Sequence, residues 1–199
     1  AVTTANVDLL ANLSLTKNNP GHHLNPLDPT INTFLFSIFQ EPIYFYGLNL
    51  FLFYGNVLLL YLIVHFLTQS KGTALTAAAL FTVHPFNAEV LCHATFSTVL
   101  LTAGFLQLSF IYFLKNFLAQ KISKGWLWLS LISYVFALLY LETSLLFPAY
   151  LTALCLFYPE FPRKKFFHFT WPYWLLAILY FGLWTHNVNL DHHLANKFE

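Results

Sequence analysis

Ile43 to Leu67 reads IYFYGLNLFLFYGNVLLLYLIVHFL, and this stretch decides the fold class of the chain. It contains 25 residues and no Asp, Glu, Lys or Arg. A helix rises about 1.5 Å per residue, so about 20 apolar residues cross the hydrocarbon core of a bilayer. The stretch is therefore long enough to cross a membrane as a tilted helix, and it predicts an integral membrane protein.

The composition excludes a soluble globular domain and a nucleic-acid-binding protein. Of the 199 residues, 58% are hydrophobic and 9% are charged, whereas about 25% of the residues in soluble domains are charged. One soluble core of this size cannot cover 23 Phe, 11 Tyr and 5 Trp side chains. The net charge of +1 provides no basic surface for nucleic acid. We therefore expect membrane lipids and other membrane subunits to be the partners of the chain.

Five further apolar segments follow the first one. Several are shorter than a full span, so they are expected to be tilted, re-entrant or buried among neighbouring helices. We predict an all-α integral membrane protein with about six transmembrane helices, some of them short or re-entrant. The five segments are Thr73–His84, Ala94–Leu114, Trp126–Leu141, Thr143–Tyr158 and Trp171–Trp184.

Three regions are expected along the chain. Residues 1–42 are polar and contain several Pro, Asn and Thr. They are interpreted as an outer-side loop that contains one short interfacial helix, Ile31–Phe39. Residues 43–185 are expected to form the transmembrane helical domain, and residues 186–199 an outer-side tail.

The basic residues predict the orientation in the membrane. If the segments alternate and the N-terminus is on the outer side, the inner loops are residues 68–72, 115–125 and 159–170. These loops hold seven of the nine Lys and Arg residues, as the positive-inside rule requires. We therefore expect a periplasmic or luminal N-terminus and cytoplasmic basic loops.

The first candidate site is the segment around His84 and Pro85. A His-Pro step ends a short apolar run at the expected outer boundary, and Glu89 follows five residues after the histidine. Pro85 has no backbone N–H, so the chain is expected to turn there. The structural alternative is a helix start at which the Glu89 charge meets the positive helix N-terminus. The functional alternative is a catalytic or ligand-binding role for His84 and Glu89.

Two further residues are candidates because they are polar groups inside or between apolar segments. Glu142 separates two such segments, and an acid at membrane depth indicates a functional site or a tight outer turn. His65 is the one histidine well inside an apolar run, and it is a candidate ligand of a haem or pigment or a histidine that reaches to the interface. The adjacent histidine pairs of the loops lack the spacing of metal ligands, so no metal site is predicted.

Three stretches resemble segments of polytopic glycosyltransferases with a GT-C fold. The likeness is greatest to the transmembrane and tetratricopeptide-repeat family of protein O-mannosyltransferases and their bacterial relatives. Ala1–Leu9 resembles the segment after the acidic pair of that family. Leu75–Val90 (LTAAALFTVHPFNAEV) resembles its apolar run into a His-Pro step, and Leu138–Pro148 (LLYLETSLLFP) resembles its Ser-Lys-Glu-Thr segment.

The resemblance implies a GT-C-like arrangement and transfer of a sugar from a polyprenyl-phosphate carrier on the outer side. In such an enzyme His84, Glu89 and Glu142 would be supporting groups near the carrier phosphate. The chain departs from the family at two basic positions. The Gly-Arg step after the His-Pro helix start is absent, and Leu141 stands where the family has a lysine before the acid.

The sequence favours the first of three functions, and the other two are alternatives. The family's acidic pair would precede Ala1, and this departure and the lost basic residues favour a non-catalytic, GT-C-like subunit with a structural or accessory role in a larger membrane assembly. The retained His84, Glu89 and Glu142 favour a fragment of an active polyprenyl-phosphate-sugar-dependent glycosyltransferase. A haem- or pigment-binding membrane subunit would depend on His65 and His93 alone.

Overall fold

The structure, a computed structural model, describes residues 41–92, 97–118, 123–157 and 163–195. Every regular element in these ranges is helical, as the sequence predicts. The expected interfacial helix Ile31–Phe39 lies outside the described residues. The helices are α1 (Pro42–Thr68), α2 (Lys71–Thr82), α3 (Phe86–Cys92), α4 (Ser97–Leu118), α5 (Lys124–Tyr140), α6 (Phe147–Phe157) and α7 (Arg163–Ala195), with a 3-10 helix (Glu142–Leu146) before α6.

Two described helices are long and apolar enough to cross a membrane. These are α1, over Ile43–Thr68, and α4, over Ser97–Asn116. The pair α2 and α3 meets the same criterion if the two are counted as one bent span, and α5 is apolar but shorter. The transmembrane character of the chain is therefore supported, while the count of about six spans and the GT-C-like arrangement stay predictions.

Helices α1 and α2 form an antiparallel hairpin. Gln69 ends α1 in the left-handed region (φ 54°), where its N–H donates to the His65 carbonyl. The Ser70 hydroxyl then accepts from the backbone N–H of Thr73 at 3.3 Å and caps α2. Because the turn is so short, α2 runs back along α1.

A bend of 60° separates α2 from α3 at the His84–Pro85 step. Pro85 cannot donate to the carbonyl of Phe81, four residues earlier. The side-chain amide of Asn87 donates to that carbonyl instead. The expected end of the apolar run at Pro85 is confirmed, with the last turn of α2 ending at Thr82.

Helix α4 runs parallel to α1. Leu100, near the start of α4, belongs to one buried cluster with Phe53 and Val90. Lys115, near the end of α4, lies 5.7 Å from the ring of Phe66, near the end of α1. The residue numbers of the two helices therefore increase in the same direction along their contact.

Helix α5 packs antiparallel to α4 through buried hydroxyl groups. Ser109 donates to the Ser130 carbonyl at 2.9 Å, and Ser130 donates to the Ser109 carbonyl at 2.5 Å. Tyr173 of α7 donates to the Ser130 hydroxyl at 2.5 Å. Each of the three hydroxyl hydrogens is used once, and we call these three residues the hydroxyl clasp.

Helix α7 contains 33 residues and begins at Arg163. Residues 163–170 of the expected inner loop 159–170 are therefore helical, and the helix continues past residue 185 to Ala195. Its buried face supplies Tyr173 and Tyr180 to a core cluster that also contains residues of α4, α5 and α6. The remaining buried members of that cluster are Phe113, Tyr134, Leu138, Phe147 and Leu151.

The described helices present large apolar side chains outward and bury polar ones. Phe51 is 76% exposed and Tyr150 is 67% exposed, whereas Asn49 and Ser109 are fully buried. A soluble protein would show the reverse pattern. Lipid or neighbouring membrane helices can cover such a surface without cost, because both are apolar.

Candidate functional site

Three breaks between helices lie at a similar level at one end of the described helices. Phe81 stacks on Phe53 with ring centroids 5.8 Å apart, so His84 lies one turn beyond that level. The start of α4 lies there too, because Asn56 donates to the Leu100 carbonyl. We call the end marked by His84, Ser97 and Glu142 the outer layer, a name that follows the predicted orientation.

Glu142 reaches this layer through the antiparallel packing of α4 and α5. Phe105 of α4 stacks on Phe136 and Tyr140 of α5, with ring centroids 5.3 Å and 5.9 Å apart. Because the two helices are antiparallel, the start of α4 at Ser97 lies at the same end as the residues that follow Tyr140 at the end of α5. The first residues after α5 include Glu142, so this acid lies near the level of the start of α4.

The chain break around Glu142 is fixed by hydrogen bonds to one carbonyl. Leu141 is extended (φ −150°, ψ 129°) and ends α5. The Ala137 carbonyl accepts from the Leu141 N–H at 3.1 Å and from the buried Ser144 hydroxyl at 3.0 Å. The predicted tight turn is therefore present, and it holds Glu142 half-buried.

The carboxyl group of Glu142 lies within electrostatic range of α7. It interacts electrostatically with the phenol of Tyr180, a residue of α7 that is only 8% exposed. Sequence analysis did not identify Tyr180, because nothing in its apolar surroundings distinguishes it from the other tyrosines. The acid and the phenol give this part of the outer layer a polar surface that can accept and donate hydrogen bonds.

His84 is an exposed turn residue. Its Nδ1 atom accepts from the Phe86 N–H at 3.3 Å, and its carbonyl accepts from the Asn87 N–H at 3.0 Å. The side chain therefore satisfies one of the free N–H groups at the start of α3. This geometry fits the structural interpretation of the His-Pro segment and leaves the Nε2 edge of the ring exposed.

Glu89 lies in the first turn of α3 and is exposed. Its charge is close to the positive end of the helix, as the structural alternative expects. Within the described residues it makes no hydrogen bond or ion pair with His84 or Glu142. The principal packing order runs from α2 and α3 through α1 and α4 to α5, so other helices lie between the His-Pro bend and Glu142.

His65 lies at the opposite end of α1. Its ring is half-buried and stacks on Tyr61, with centroids 6.0 Å apart. The Nδ1 atom is buried, with no hydrogen-bond partner among the described residues. His93 lies outside the described residues, so a haem or pigment held by both histidines stays a prediction.

The basic residues also collect at this opposite end. The Lys115 ammonium group lies 5.7 Å from the Phe66 ring and 5.0 Å from the Trp126 ring. Lys71 begins α2 and Lys124 begins α5 at the same end. Lys115 therefore lies at the end away from Glu142, while the orientation in the membrane stays a prediction.

Within the described ranges no three His, Cys, Asp or Glu residues lie close enough to hold a metal ion. Comparisons of the chain with models of known protein families, with curated proteins and with solved structures find no match.

Proposed function

We propose that the chain is the membrane-embedded part of a GT-C-like glycosyltransferase that uses a polyprenyl-phosphate-linked sugar on the outer side of the membrane. The observation that carries the proposal is the placement of Glu142. This acid is half-buried in the chain break after α5, within electrostatic range of Tyr180 and at the same end of the helices as the His-Pro bend. The resemblance of both segments to the same enzyme family supplies the reaction class.

In this proposal Glu142 is a supporting group and the base is a different acid. A carboxylate cannot bind a phosphate directly, because both are anionic. It can accept hydrogen bonds from sugar hydroxyl groups, or it can share a divalent cation that neutralises the phosphate. The half-buried position lowers competition from water, so each such interaction is stronger than at an exposed acid.

The experiment is a transfer assay on the full-length gene product in liposomes. Radiolabelled polyprenyl-phosphate mannose and polyprenyl-phosphate glucose are the donors. We expect Glu142→Gln to reduce transfer at least about a hundredfold, because the charge and its hydrogen bonds in the transition state are lost together.

Glu41→Gln is the matched control, since Glu41 is an exposed acid before α1. It should keep the activity of the unchanged protein. Equal activity of the Glu142→Gln protein and the control would refute the role of Glu142.

The second candidate is a non-catalytic GT-C-like subunit with a structural role in a larger membrane assembly. The observation that favours it is that the acids and the bases lie at opposite ends of the described helices. Glu89 and Glu142 lie in the outer layer, and the lysines lie at the other end: Lys71, Lys115 and Lys124. Leu141 also replaces the lysine of the family. If full-length protein of confirmed helicity transfers neither sugar, this second candidate replaces the first.

A further inference from the structure

A groove of about 180 Å³ lies between α1 and α4. Its walls are apolar side chains and two glycines, Gly55 of α1 and Gly104 of α4. A side chain added at Gly55 would meet no other atom within 4 Å. The lining residue Phe51 is 76% exposed, so the groove opens on the outside of this helix pair.

The single polar side chain among the groove's lining residues is Asn56, and it offers an acceptor. Both hydrogens of its amide are in use, because Nδ2 donates to the carbonyls of Leu52 at 2.8 Å and Leu100 at 3.0 Å. Asn56 is only 3% exposed, and its Oδ1 atom has no hydrogen-bond partner among the described residues. Oδ1 lies on the side of Gly104, where a Cβ atom would be 3.6 Å away.

A buried acceptor without a donor is costly in an apolar surrounding, because no water is available to replace the missing bond. We propose that the groove binds an uncharged lipid alcohol, whose hydroxyl group donates to Asn56 Oδ1 and whose hydrocarbon chain lies between Gly55 and Gly104. The inference goes beyond the proposed sugar transfer and does not depend on it.

The size of the groove limits what enters it. A dry apolar cavity of about 150 Å³ admits benzene. The groove between α1 and α4 therefore holds one ring or about six to eight carbon atoms of a chain, and the rest of the lipid stays in the bilayer. Both walls belong to helices that are long and apolar enough to span the membrane, and the proposal places lipid at the open side.

The chemistry of Asn56 selects the headgroup. Its two donors are occupied, so only an incoming donor gains a hydrogen bond. An alcohol has one, whereas an ether or a phosphodiester presents only acceptors to Oδ1. The site should therefore distinguish a lipid alcohol from the corresponding methyl ether, although the two have nearly the same hydrocarbon volume.

The test uses the full chain in phosphatidylcholine nanodiscs with two photoactivatable probes. One is hexadecanol with a diazirine in its chain, and the other is the methyl ether of the same molecule. Gly55→Leu fills the groove without removing Asn56. Gly47→Leu is the matched control, because Gly47 lies on the same helix, also has open space at its Cβ position and does not line the groove.

We expect the alcohol to label peptides from the α1 and α4 walls of the groove, and the ether to label them about fivefold less, as the loss of one hydrogen bond predicts. Gly55→Leu should reduce alcohol labelling to the level of the ether, and Gly47→Leu should leave it unchanged. Equal labelling by both probes, or full labelling of the Gly55→Leu protein, would overturn the proposal. So would absence of labelling combined with loss of a co-purifying membrane protein from Gly55→Leu, because the groove would then be a helix-packing surface.

Discussion

Three hydroxyl groups join α4, α5 and α7 where these helices pack together. The hydroxyl clasp contains no charged group, and each of its serines donates to the backbone carbonyl of the other. Small residues of this kind allow close packing of membrane helices, where apolar burial alone gives little driving force. The clasp is therefore expected to be one of the stronger contacts between α4, α5 and α7.

The clasp predicts an unequal effect of two neighbouring serine substitutions. Ser130→Ala removes a donor to Ser109 and leaves the fully buried Tyr173 hydroxyl without its acceptor. We expect the free energy of unfolding in detergent to fall by about 1–2 kcal/mol. Thermal or denaturant unfolding, followed by circular dichroism, measures the change.

Ser133→Ala is the control for this prediction. The Ser133 hydroxyl donates only to the Leu129 carbonyl of its own helix, at 2.9 Å. Its removal leaves that carbonyl within the helical hydrogen-bond ladder, so the loss should be below about 0.5 kcal/mol. Equal losses for the two variants would show that the clasp does not link the helices energetically.

At the level of residues, the sequence revealed some polar groups of the site but none of their partners. Glu142 is conspicuous because it interrupts an apolar run. Asn56, a polar residue within the first span, was not singled out from the sequence. The partners are distant along the chain: Leu100 is 44 residues from Asn56. Such pairings depend on helix packing, which periodicity and hydropathy do not encode.

At the level of elements, the His84–Pro85 bend combines a missing donor with a replacement. The Phe81 carbonyl accepts from the Asn87 side chain and from the His84 N–H, and Pro85 has no N–H for the helical hydrogen bond to it. Either feature alone is compatible with a kink. Together they are expected to hold the 60° angle between α2 and α3.

The bend therefore should persist after one substitution and disappear after two. Pro85→Ala restores a backbone N–H, but Asn87 still competes for the Phe81 carbonyl. In the double variant with Asn87→Ala the helix can continue, and the distance between positions 71 and 92 should increase by about 4 Å, from the helical rise. Spin labels at Lys71→Cys and at the native Cys92, in a Cys155→Ala background, measure this distance by pulsed electron paramagnetic resonance.

The reference for this measurement is the same labelled pair in the otherwise unchanged chain. An increase after Pro85→Ala alone would mean that Asn87 contributes nothing to the bend. No increase in the double variant would mean that the packing of Val90 against Phe53 holds the angle instead.

The helix limits were predictable where the apolar sequence and the helical hydrogen bonds end at the same residues. Residues 43–67 were predicted for α1, and the helix covers Pro42–Thr68 because Pro42 begins it and Gln69 ends it. The two signals differ in α7. Hydropathy falls at Arg163, so the prediction placed a loop there, but the backbone can stay helical where charged side chains reach water.

At the level of the whole molecule, the described helices separate basic residues from the outer layer. Lys124 begins α5 and Thr143 follows its end, and both are exposed. If α5 crosses the membrane with the predicted orientation, these positions lie on opposite sides.

Cysteine labelling tests this arrangement in sealed cells. In a background with Cys92→Ser and Cys155→Ala, Thr143→Cys should react with a membrane-impermeant maleimide from outside. Lys124→Cys should react only after permeabilisation. Reaction of both from one side would exclude α5 as a span, and a reversed result would exclude the predicted orientation.

The parallel packing of α1 and α4 gives the molecule an uneven outer edge. The level of Phe53 is where α2 ends and α4 begins, yet α1 continues from there to Pro42, which adds about 16 Å at the helical rise. Ile43 and Tyr44 on this extension are exposed and apolar, so the extension belongs in lipid or at its interface. If α1 spans the membrane with the predicted orientation, Glu142 lies below the membrane surface, and the long-tailed substrate of the proposed function would reach it sideways from within the leaflet without first leaving the bilayer.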